Sequence, residues 1–177
     1  MTLEETLNKL LRDTINLLLE TPDYTIAAKQ KDAPRPTGAY ADVDYTSGID
    51  LGWEQRISVD NVGDDDVTEN ISGMREITMS ANFYRDGAID NARSVRTGLV
   101  RQSIQDLFSA AGVGLIRRSE VRKISEPLEN GWEERAQLDI VLNAVGTDAD
   151  IVRSILSVDM AGVYEFRGLQ YNFNIEV

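Results

Sequence analysis

The chain has 177 residues, of which 42% are hydrophobic, and its formal net charge is −12 at neutral pH. This length fits one folded domain with a sizeable core, and the negative charge disfavours binding to nucleic acid or anionic membranes. Because cysteine and histidine are both absent, disulfides, thiol nucleophiles, the usual zinc sites and histidine general bases are excluded.

The first predicted element is an amphipathic helix at the N-terminus. Thr2 and Glu5 have the spacing of a capping box, and Thr21-Pro22 is expected to end the helix. Its apolar face consists of Leu3, Leu7, Leu10, Leu11, Ile15 and Leu18. This face is expected to pack on the protein's own sheet, with a subunit contact as the alternative. The segment lacks the apolar run of a secretion signal, so we expect a protein that is assembled in the cytoplasm.

A proline-rich loop follows a short strand that is predicted at residues 24–29. Pro34 and Pro36 exclude both a helix and a central strand, because proline has a fixed φ and no backbone donor. We therefore expect residues 31–40 to form an exposed loop of fixed shape.

Two strands and an acidic loop are predicted next. Residues 39–46 alternate between apolar and polar, which indicates a half-buried strand. Ser47-Gly48 is expected to end it before a second, less regular strand that includes Trp53. Residues 60–70 contain three consecutive aspartates, whose mutual repulsion favours a solvated loop. The glycine and glutamate of a calcium loop are missing from their required positions, so no metal site is expected there.

The central part of the chain is predicted to be a strand followed by the longest helix. The strand residues expected to point inward are Ile77, Met79, Ala81 and Phe83. Asp86-Gly87 ends the strand, and one helix is expected from residue 88 until Gly112. Its apolar arc consists of Ala92, Val95, Leu99, Val100, Ile104, Leu107, Phe108 and Ala111. Arg96 lies inside this arc, either with its charge at the rim of the core or in an ion pair across a subunit interface.

Hairpins are predicted in the C-terminal part. Glu129-Asn130-Gly131 has the sequence of a tight turn between two strands. The first of these strands carries the basic residues Arg117, Arg118, Arg122 and Lys123. They either prevent stray pairing of an edge strand or meet an acidic surface on a neighbouring copy. Residues 148–159 fit a short helix and a buried strand equally well. A C-terminal hairpin is expected around Arg167-Gly168.

Together these elements predict an α+β fold, in which two main amphipathic helices pack on a mostly antiparallel sheet in one domain over residues 1–177. Dinucleotide, phosphate-loop and nucleophile-elbow motifs do not occur in the contexts that their chemistry requires. We therefore predict no catalytic residue, no cofactor, no metal and no enzyme activity. Trp53 and Trp132 lie in strand patterns and are expected in the core or in an interface.

Two stretches of the sequence resemble those of a known family. The first stretch contains Pro34, Pro36, Thr37, Gly38, Tyr40, Ala41 and Val43. The second contains Phe83, Tyr84, Ala88 and Ala92, where a strand enters a helix. Both resemble the bacteriophage neck or tail-terminator (tail-completion) family. The resemblance implies a tail-terminator architecture and a structural virion protein. Such a protein forms a ring, usually of six copies, that terminates the tail tube and joins tail to head.

The resemblance also implies the partners of the protein. The partners are further copies of the chain, the tail tube, the sheath and head-completion or connector proteins, and no membrane is involved. Assembly is expected in the host cytoplasm. Genomic DNA would pass through an acidic channel without specific binding, because like charges repel. Contacts are expected at the loop of residues 35–40, the loop of residues 60–69 and the C-terminal strand. The candidate interface residues are Arg35, Pro36, Thr37, Tyr40, Asp64, Asp65, Asp66, Arg96, Arg117, Arg118, Tyr171 and Phe173.

Other functions compete with this interpretation. One is an acidic inhibitor that mimics DNA and binds the basic cleft of a host protein. The net charge favours it, but basic residues are interspersed among the acidic ones. Another is a different head–tail connector or tail-assembly protein. A third is an enzyme that uses carboxylates alone, for which the sequence contains no recognisable motif.

Overall fold

The computed structural model describes residues 2–28, 35–60, 66–128, 131–153, 159–166 and 169–176. The chain forms two compact units. The first unit comprises Met1–Trp53 and Gly73–Gly146, and the second comprises Glu54–Ser72 and Thr147–Val177. Both are described separately below, starting with the first, which contains the three helices of the described ranges. No helix in the described ranges is long and apolar enough to cross a bilayer.

Helix α1, Leu3–Leu18, confirms the N-terminal prediction and its capping box. The backbone N–H of Glu5 donates to the Thr2 hydroxyl at 3.2 Å, and the N–H of Thr2 donates to the Glu5 carboxylate at 2.8 Å. The fully buried residues of the helix are Leu7, Leu11 and Ile15. They belong to the main hydrophobic core, so the apolar face of α1 packs within its own protomer.

Strand β1, Thr25–Ala27, pairs in parallel with the beginning of β2, Tyr40–Asp60. The predicted break at Ser47-Gly48 is wrong, because β2 continues through both residues. The next strand, β3, neighbours β2 in the sheet, and its ladder supplies backbone hydrogen bonds that override the local turn preference. Pro34 and the rest of residues 29–34 lie outside the described residues.

Strand β3, Asp66–Tyr84, confirms the alternation that the sequence predicts. Its inward residues are Ile77, Met79, Ala81 and Phe83, which are all buried. The acidic loop predicted for residues 60–70 is partly corrected, because residues 66–70 belong to β3 and Asp60 ends β2. Residues 61–65 lie outside the described residues.

Two helices, α2 (Ala88–Gly98) and α3 (Gln102–Ala110), replace the single long helix that the sequence predicts. The predicted apolar arc accordingly divides into the buried residues Ala92, Val95, Leu99, Ile104 and Phe108 and the exposed residues Val100, Leu107 and Ala111. Gly112 follows α3 with a φ of 69°, which confirms that it ends the helical segment.

The break between α2 and α3 has a tertiary cause. A Cβ atom on Gly98 would lie 2.5 Å from Cδ2 of Leu18, so the glycine allows α2 to approach α1 closely. Arg101 is extended, with a ψ of 141°, and starts α3 in a new direction. The side-chain amide of Gln105 donates to the carbonyl of Leu99 at 2.6 Å, which satisfies a backbone group near the break.

Short strands replace the first strand of the hairpin predicted around residue 130. In chain order they are β4 (Val113–Arg118), β5 (Arg122–Lys123) and β6 (Glu126–Leu128). Strand β7, Gly131–Glu133, pairs with β6 in antiparallel fashion, and Leu128 is opposite Gly131. This pairing confirms the hairpin, although residues 129 and 130 lie outside the described residues.

The main sheet has six strands in the order β1-β2-β3-β8-β4, and β5 also pairs with β8. Strand β8, Arg135–Arg153, is antiparallel to β4 and β5. Inward side chains of β2, β3 and β8 form one core with the three helices. The α+β class and the mostly antiparallel sheet are therefore confirmed, with three helices instead of two. Residues 148–153 belong to β8, so the strand alternative is right there, while residues 154–158 lie outside the described residues.

The second unit contains the C-terminal hairpin. Strands β9, Asp159–Phe166, and β10, Leu169–Glu176, pair in antiparallel fashion, with Leu169 opposite Phe166. This register confirms the hairpin that the sequence predicts around Arg167-Gly168, two residues that lie outside the described ranges. The backbone groups of β10 therefore find a partner strand within the chain.

Candidate functional site

A pair of stacked tyrosines lies at the centre of the candidate site. Tyr40 begins β2 and Tyr84 ends β3, and their ring centroids are 4.6 Å apart with an interplanar angle of 12°. Each ring also faces an arginine, because the guanidinium carbon of Arg85 lies 5.6 Å from the Tyr40 centroid and that of Arg135 lies 5.3 Å from the Tyr84 centroid. Stacking and cation–π attraction thus hold the two strand ends together.

Arg85 connects this cluster to the proline loop. Its guanidinium donates hydrogen bonds to the carbonyl oxygens of Pro36 and Gly38, the latter at 2.9 Å. The backbone of Arg85 is left-handed, with a φ of 70°, and its N–H donates to the carbonyl of Glu134 at 2.7 Å. A non-glycine residue in this conformation is strained by roughly 1–2 kcal/mol. The strain is offset by contacts that fix the loop against the end of β3.

Glu133 joins the two arginines. It is 8% exposed, accepts a hydrogen bond from Nε of Arg135 at 2.6 Å, and lies 3.6 Å from Nε of Arg85. Burial alone lowers the pKa of Arg135, but the hydrogen bond and charge of Glu133 more than offset this and raise it. Glu126 forms a further ion pair with Arg135. The buried carboxylate is therefore neutralised by groups from its own protomer.

Asp42 accepts two hydrogen bonds on the same face of the sheet. The hydroxyl of Tyr84 donates to it at 2.9 Å and the side-chain amide of Asn82 donates at 2.8 Å. Burial raises the pKa of Tyr84 well above its ordinary value, and the charge of Asp42 raises it further. Burial likewise raises the pKa of Tyr40. Both phenols are therefore neutral at physiological pH, and that of Tyr84 donates a hydrogen bond.

Replacing Tyr84 by phenylalanine is expected to make the free energy of unfolding fall less steeply as the pH rises into the alkaline range. A raised pKa in the folded state means that the contribution of Tyr84 is complete below the unfolded pKa of 10.0 and is lost as the pH rises above it. The parent should be more stable than the variant by about 1–2 kcal/mol near neutral pH, and this difference should shrink above pH 10. Urea unfolding across this pH range measures it, and a constant difference would contradict the assignment.

A ladder of polar side chains continues from the cluster across the sheet. The Ser80 hydroxyl donates to Asp139 at 2.7 Å and lies 2.9 Å from the hydroxyl of Thr46. Gln137 donates to Asp139 at 3.2 Å, and Arg122 forms an ion pair with the same carboxylate. These groups satisfy one another, so this face needs no bound ion to neutralise it. Among the described residues, no group of three or more carboxylates is arranged to hold a metal.

The structure brings some of the predicted interface residues together and separates others. Pro36 and Tyr40 meet at Arg85, with Arg35 and Thr37 exposed beside them. Arg96 donates to the carbonyl of Ser119 at 2.9 Å and pairs with Glu120. Its charge therefore lies at the rim of the core with partners in its own protomer.

The basic residues of β4 lie on the edge of the sheet, apart from the proline loop. Arg117 donates to Glu76 at 2.7 Å, whereas Nη1 of Arg118 is buried without a hydrogen-bond partner among the described residues. Asp66 is the first residue of β3, and Tyr171 and Phe173 lie in β10 opposite Tyr164 and Gly162. Asp64 and Asp65 lie outside the described residues. Their role as interface residues stays a prediction.

Sequence reasoning missed three residues of the cluster, namely Arg85, Glu133 and Arg135. Each lies at the end of a predicted strand, where a charged residue is ordinary. Their contacts join segments that are distant in the sequence, so local periodicity contains no signal for them. Trp53 and Trp132, by contrast, are 100% and 76% exposed, which excludes the core alternative for both.

No match is found among curated proteins. Among solved structures, the crystal structure of the type 4 fimbrial biogenesis protein PilO from Pseudomonas aeruginosa is similar over 60% of this chain and 58% of that chain, with 10% identity and a TM-score of 0.19. A similarity this low carries no argument.

The sequence model of the phage neck terminator protein family matches residues 1–167. This match covers both stretches that carry the resemblance, the helices α1, α2 and α3, and strand β9 of the C-terminal hairpin, and it ends before β10. The chain therefore belongs to the phage neck terminator protein family and is a structural protein of the virion neck.

Proposed function

We propose that the protein acts as a single tail-terminator domain that assembles into a ring of six copies, stops growth of the tail tube and joins tail to head. The observation that carries this proposal is a set of exposed apolar side chains on β2. They are Ile49, Leu51 and Trp53, with exposed fractions of 62%, 42% and 100%. Contact with another subunit would remove this apolar surface from water, as in other protein interfaces.

The proline loop supports the same proposal. Arg85 fixes the carbonyls of Pro36 and Gly38, while Arg35 and Thr37 remain exposed. Because residues 36–38 of the loop are already held by Arg85, they lose little conformational entropy when a partner binds, so they are suited to a repeated contact. We propose this loop, the segment of residues 60–69 and the C-terminal strand as contacts with neighbouring copies, the tail tube, the sheath and the connector.

The net charge of −12 supports a role for the channel of the ring. Genomic DNA must pass through it without being retained, and an acidic lining would repel the phosphates. In this proposal the DNA is cargo and is not bound specifically. A channel lined by lysine and arginine would contradict it.

The alternative of a DNA mimic gains no support from the sheet. A mimic requires carboxylates that are available to a basic partner, whereas Asp139 is paired with Arg122 and Glu76 with Arg117. A different connector or tail-assembly role remains the second candidate, because it uses the same kinds of surface at another position in the particle.

Purified protein mixed with isolated tail tubes tests the proposed function. Tube ends matter because a terminator can stay monomeric until a tube recruits it. We expect light scattering after size-exclusion chromatography, together with electron microscopy, to detect six-copy rings at tube ends. Tails that are assembled without the protein should grow beyond their normal length. Binding elsewhere on the particle would favour another connector role, and a monomer that competes with DNA for a basic protein would favour the mimic.

A further inference from the structure

We propose that contact between two opposite edges of the main sheet closes the ring. This inference rests on the proposed function, because it assumes that the ring forms. The acidic edge is residues 44–53 of β2 with the beginning of α1 beside it. The basic edge is β4 and β5 with the neighbouring surface of α3. The acidic edge of one copy contacts the basic edge of the next copy.

The acidic edge is open and bears apolar side chains. Strand β1 pairs only with residues 41–43 of β2, and beyond them no other strand of the described residues is next to this side of β2. Two cavities, of about 460 and 320 Å³, lie between this part of β2 and α1, and their linings also include residues of β3 and β1 respectively. Their acidic lining residues are Glu4, Glu5, Asp44 and Asp50, and their basic lining residues are Arg12 and Arg75. Asp50 pairs with Arg75 at 2.8 Å, but its side chain is 65% exposed. Ile49, Leu51 and Trp53 are exposed along the same segment.

The basic edge is the complement of this surface. Strands β4 and β5 follow each other along β8, and β4 is the last strand of the sheet. Their basic residues are Arg117, Arg118, Arg122 and Lys123. Arg117 and Arg122 pair with the largely buried carboxylates of Glu76 and Asp139, but their own side chains are 63% and 54% exposed and can also meet a partner. A cavity of about 320 Å³ lies against β4, and its lining includes Val100, Ile116 and Arg118. Val100 and Ile116 are 53% and 42% exposed, so this edge also combines charge with apolar surface.

Val100 and Arg118 line the same cavity. Nη1 of Arg118 is buried and has no hydrogen-bond partner among the described residues, so this atom is closed to a group from outside. The exposed charges of the basic edge are Arg117, Arg122 and Lys123. An incoming segment would therefore meet these charges together with the exposed apolar side chains of Val100 and Ile116.

The contact is expected to use side chains rather than a continuous ladder of backbone hydrogen bonds. Strand β4 is irregular between Leu115 and Arg117, and the ladder along β8 is interrupted between Arg118 and Arg122. Bulges and charges at a sheet edge are devices that prevent indiscriminate strand pairing. They leave the edge available to a partner with complementary charge.

A second copy is the occupant that the charges favour. Each copy presents one acidic and one basic edge, on opposite sides of the sheet. Contacts between two like edges are disfavoured by repulsion, whereas contacts between unlike edges are favoured. A contact of this heterologous kind repeats from copy to copy and closes into a ring when the rotation allows it.

Two charge-reversed variants test the proposal in the presence of tail tubes. The first is Glu4→Lys with Asp50→Lys, and the second is Arg117→Glu with Arg118→Glu. Each variant alone is expected to need at least about tenfold more protein than the parent to form rings, because like charges then meet. An equal mixture of the two should restore rings with alternating copies, since each junction again joins unlike charges.

Matched controls are Asp90→Lys and Arg93→Glu on the exposed surface of α2, which change the charge by the same amount per residue and should assemble like the parent. Circular dichroism confirms that every variant is folded. If each folded variant assembles alone like the parent, or if their mixture does not assemble, the proposed contact between the acidic and basic edges is wrong. The proposed ring itself would be unaffected by either result. If they form rings that no longer bind tubes, the two edges face the tube instead, which also overturns it. A parent that forms no ring at tube ends refutes the proposed function itself.

Discussion

Replacing Phe83 by alanine is expected to lower the free energy of unfolding by about 3–5 kcal/mol. Phe83 is fully buried in β3, a central strand of the main sheet, and belongs to the core that β3 forms with the helices. Truncation removes most of its apolar surface from the core and leaves a cavity that the rigid sheet cannot close. Urea denaturation of the unassembled protein, followed by circular dichroism, measures the loss.

A matched control separates burial from the loss of an aromatic ring. Trp53→Ala removes a larger side chain, but one that is fully exposed, so the unassembled protomer should change by less than about 0.5 kcal/mol. If Phe83→Ala does not fold, Phe83→Leu, which retains more apolar volume, should show a smaller loss in the same direction. An unchanged urea midpoint for Phe83→Ala would contradict the assigned core.

Replacing Glu133 by glutamine is expected to lower the free energy of unfolding by about 2–4 kcal/mol. The amide keeps the shape of the side chain but removes the charge that neutralises Arg135 and faces Arg85. The side chains of Arg135 and Arg85 are 16% and 30% exposed. Solvent therefore screens the charges in part, and the effect is smaller than for a fully buried pair. Thermal and urea unfolding measure it.

Glu126→Gln is the control for this substitution. Glu126 contacts the same arginine, but its side chain is 52% exposed, and exposed ion pairs contribute about 1 kcal/mol or less. Added salt should reduce the already small loss of stability caused by Glu126→Gln. It should change the loss caused by Glu133→Gln less, because Glu133 is buried. Equal losses for both variants would show that burial of Glu133 does not matter, against the interpretation of the cluster.

Local signals explain the parts of the fold that were predicted correctly. Thr2 and Glu5 cap α1 by contacts only three residues apart, and the alternation from Ile77 to Phe83 reports burial directly. The turn at Gly131 also depends on neighbours in the sequence. These elements are therefore visible without knowledge of the rest of the chain.

The errors occur where distant segments decide the outcome. Ser47-Gly48 favours a turn, but the neighbouring strand keeps β2 extended. The helix predicted from residue 88 breaks after Gly98, where α2 packs against Leu18 of α1. The hydrophobic periodicity of a short segment contains no information about either of these contacts. Tertiary contacts override the local preference in both places.

The candidate site was predictable only in part. Pro36 and Tyr40 were singled out from the sequence, and the structure brings both to Arg85. Arg85 itself is 49 residues from Pro36 in the chain, and Glu133 comes from another hairpin. A contact of this range follows from the order of strands in the sheet, which the sequence pattern does not specify.

The capped junction between α2 and α3 has a consequence for motion. Because the amide that satisfies the carbonyl of Leu99 belongs to Gln105 of α3, opening of α3 would free a backbone group near the end of α2. Ile104 and Phe108 of α3 are also buried in the main core. The amide hydrogens of α3 are therefore expected to exchange together with those of the core, and not through a local opening of the short helix alone.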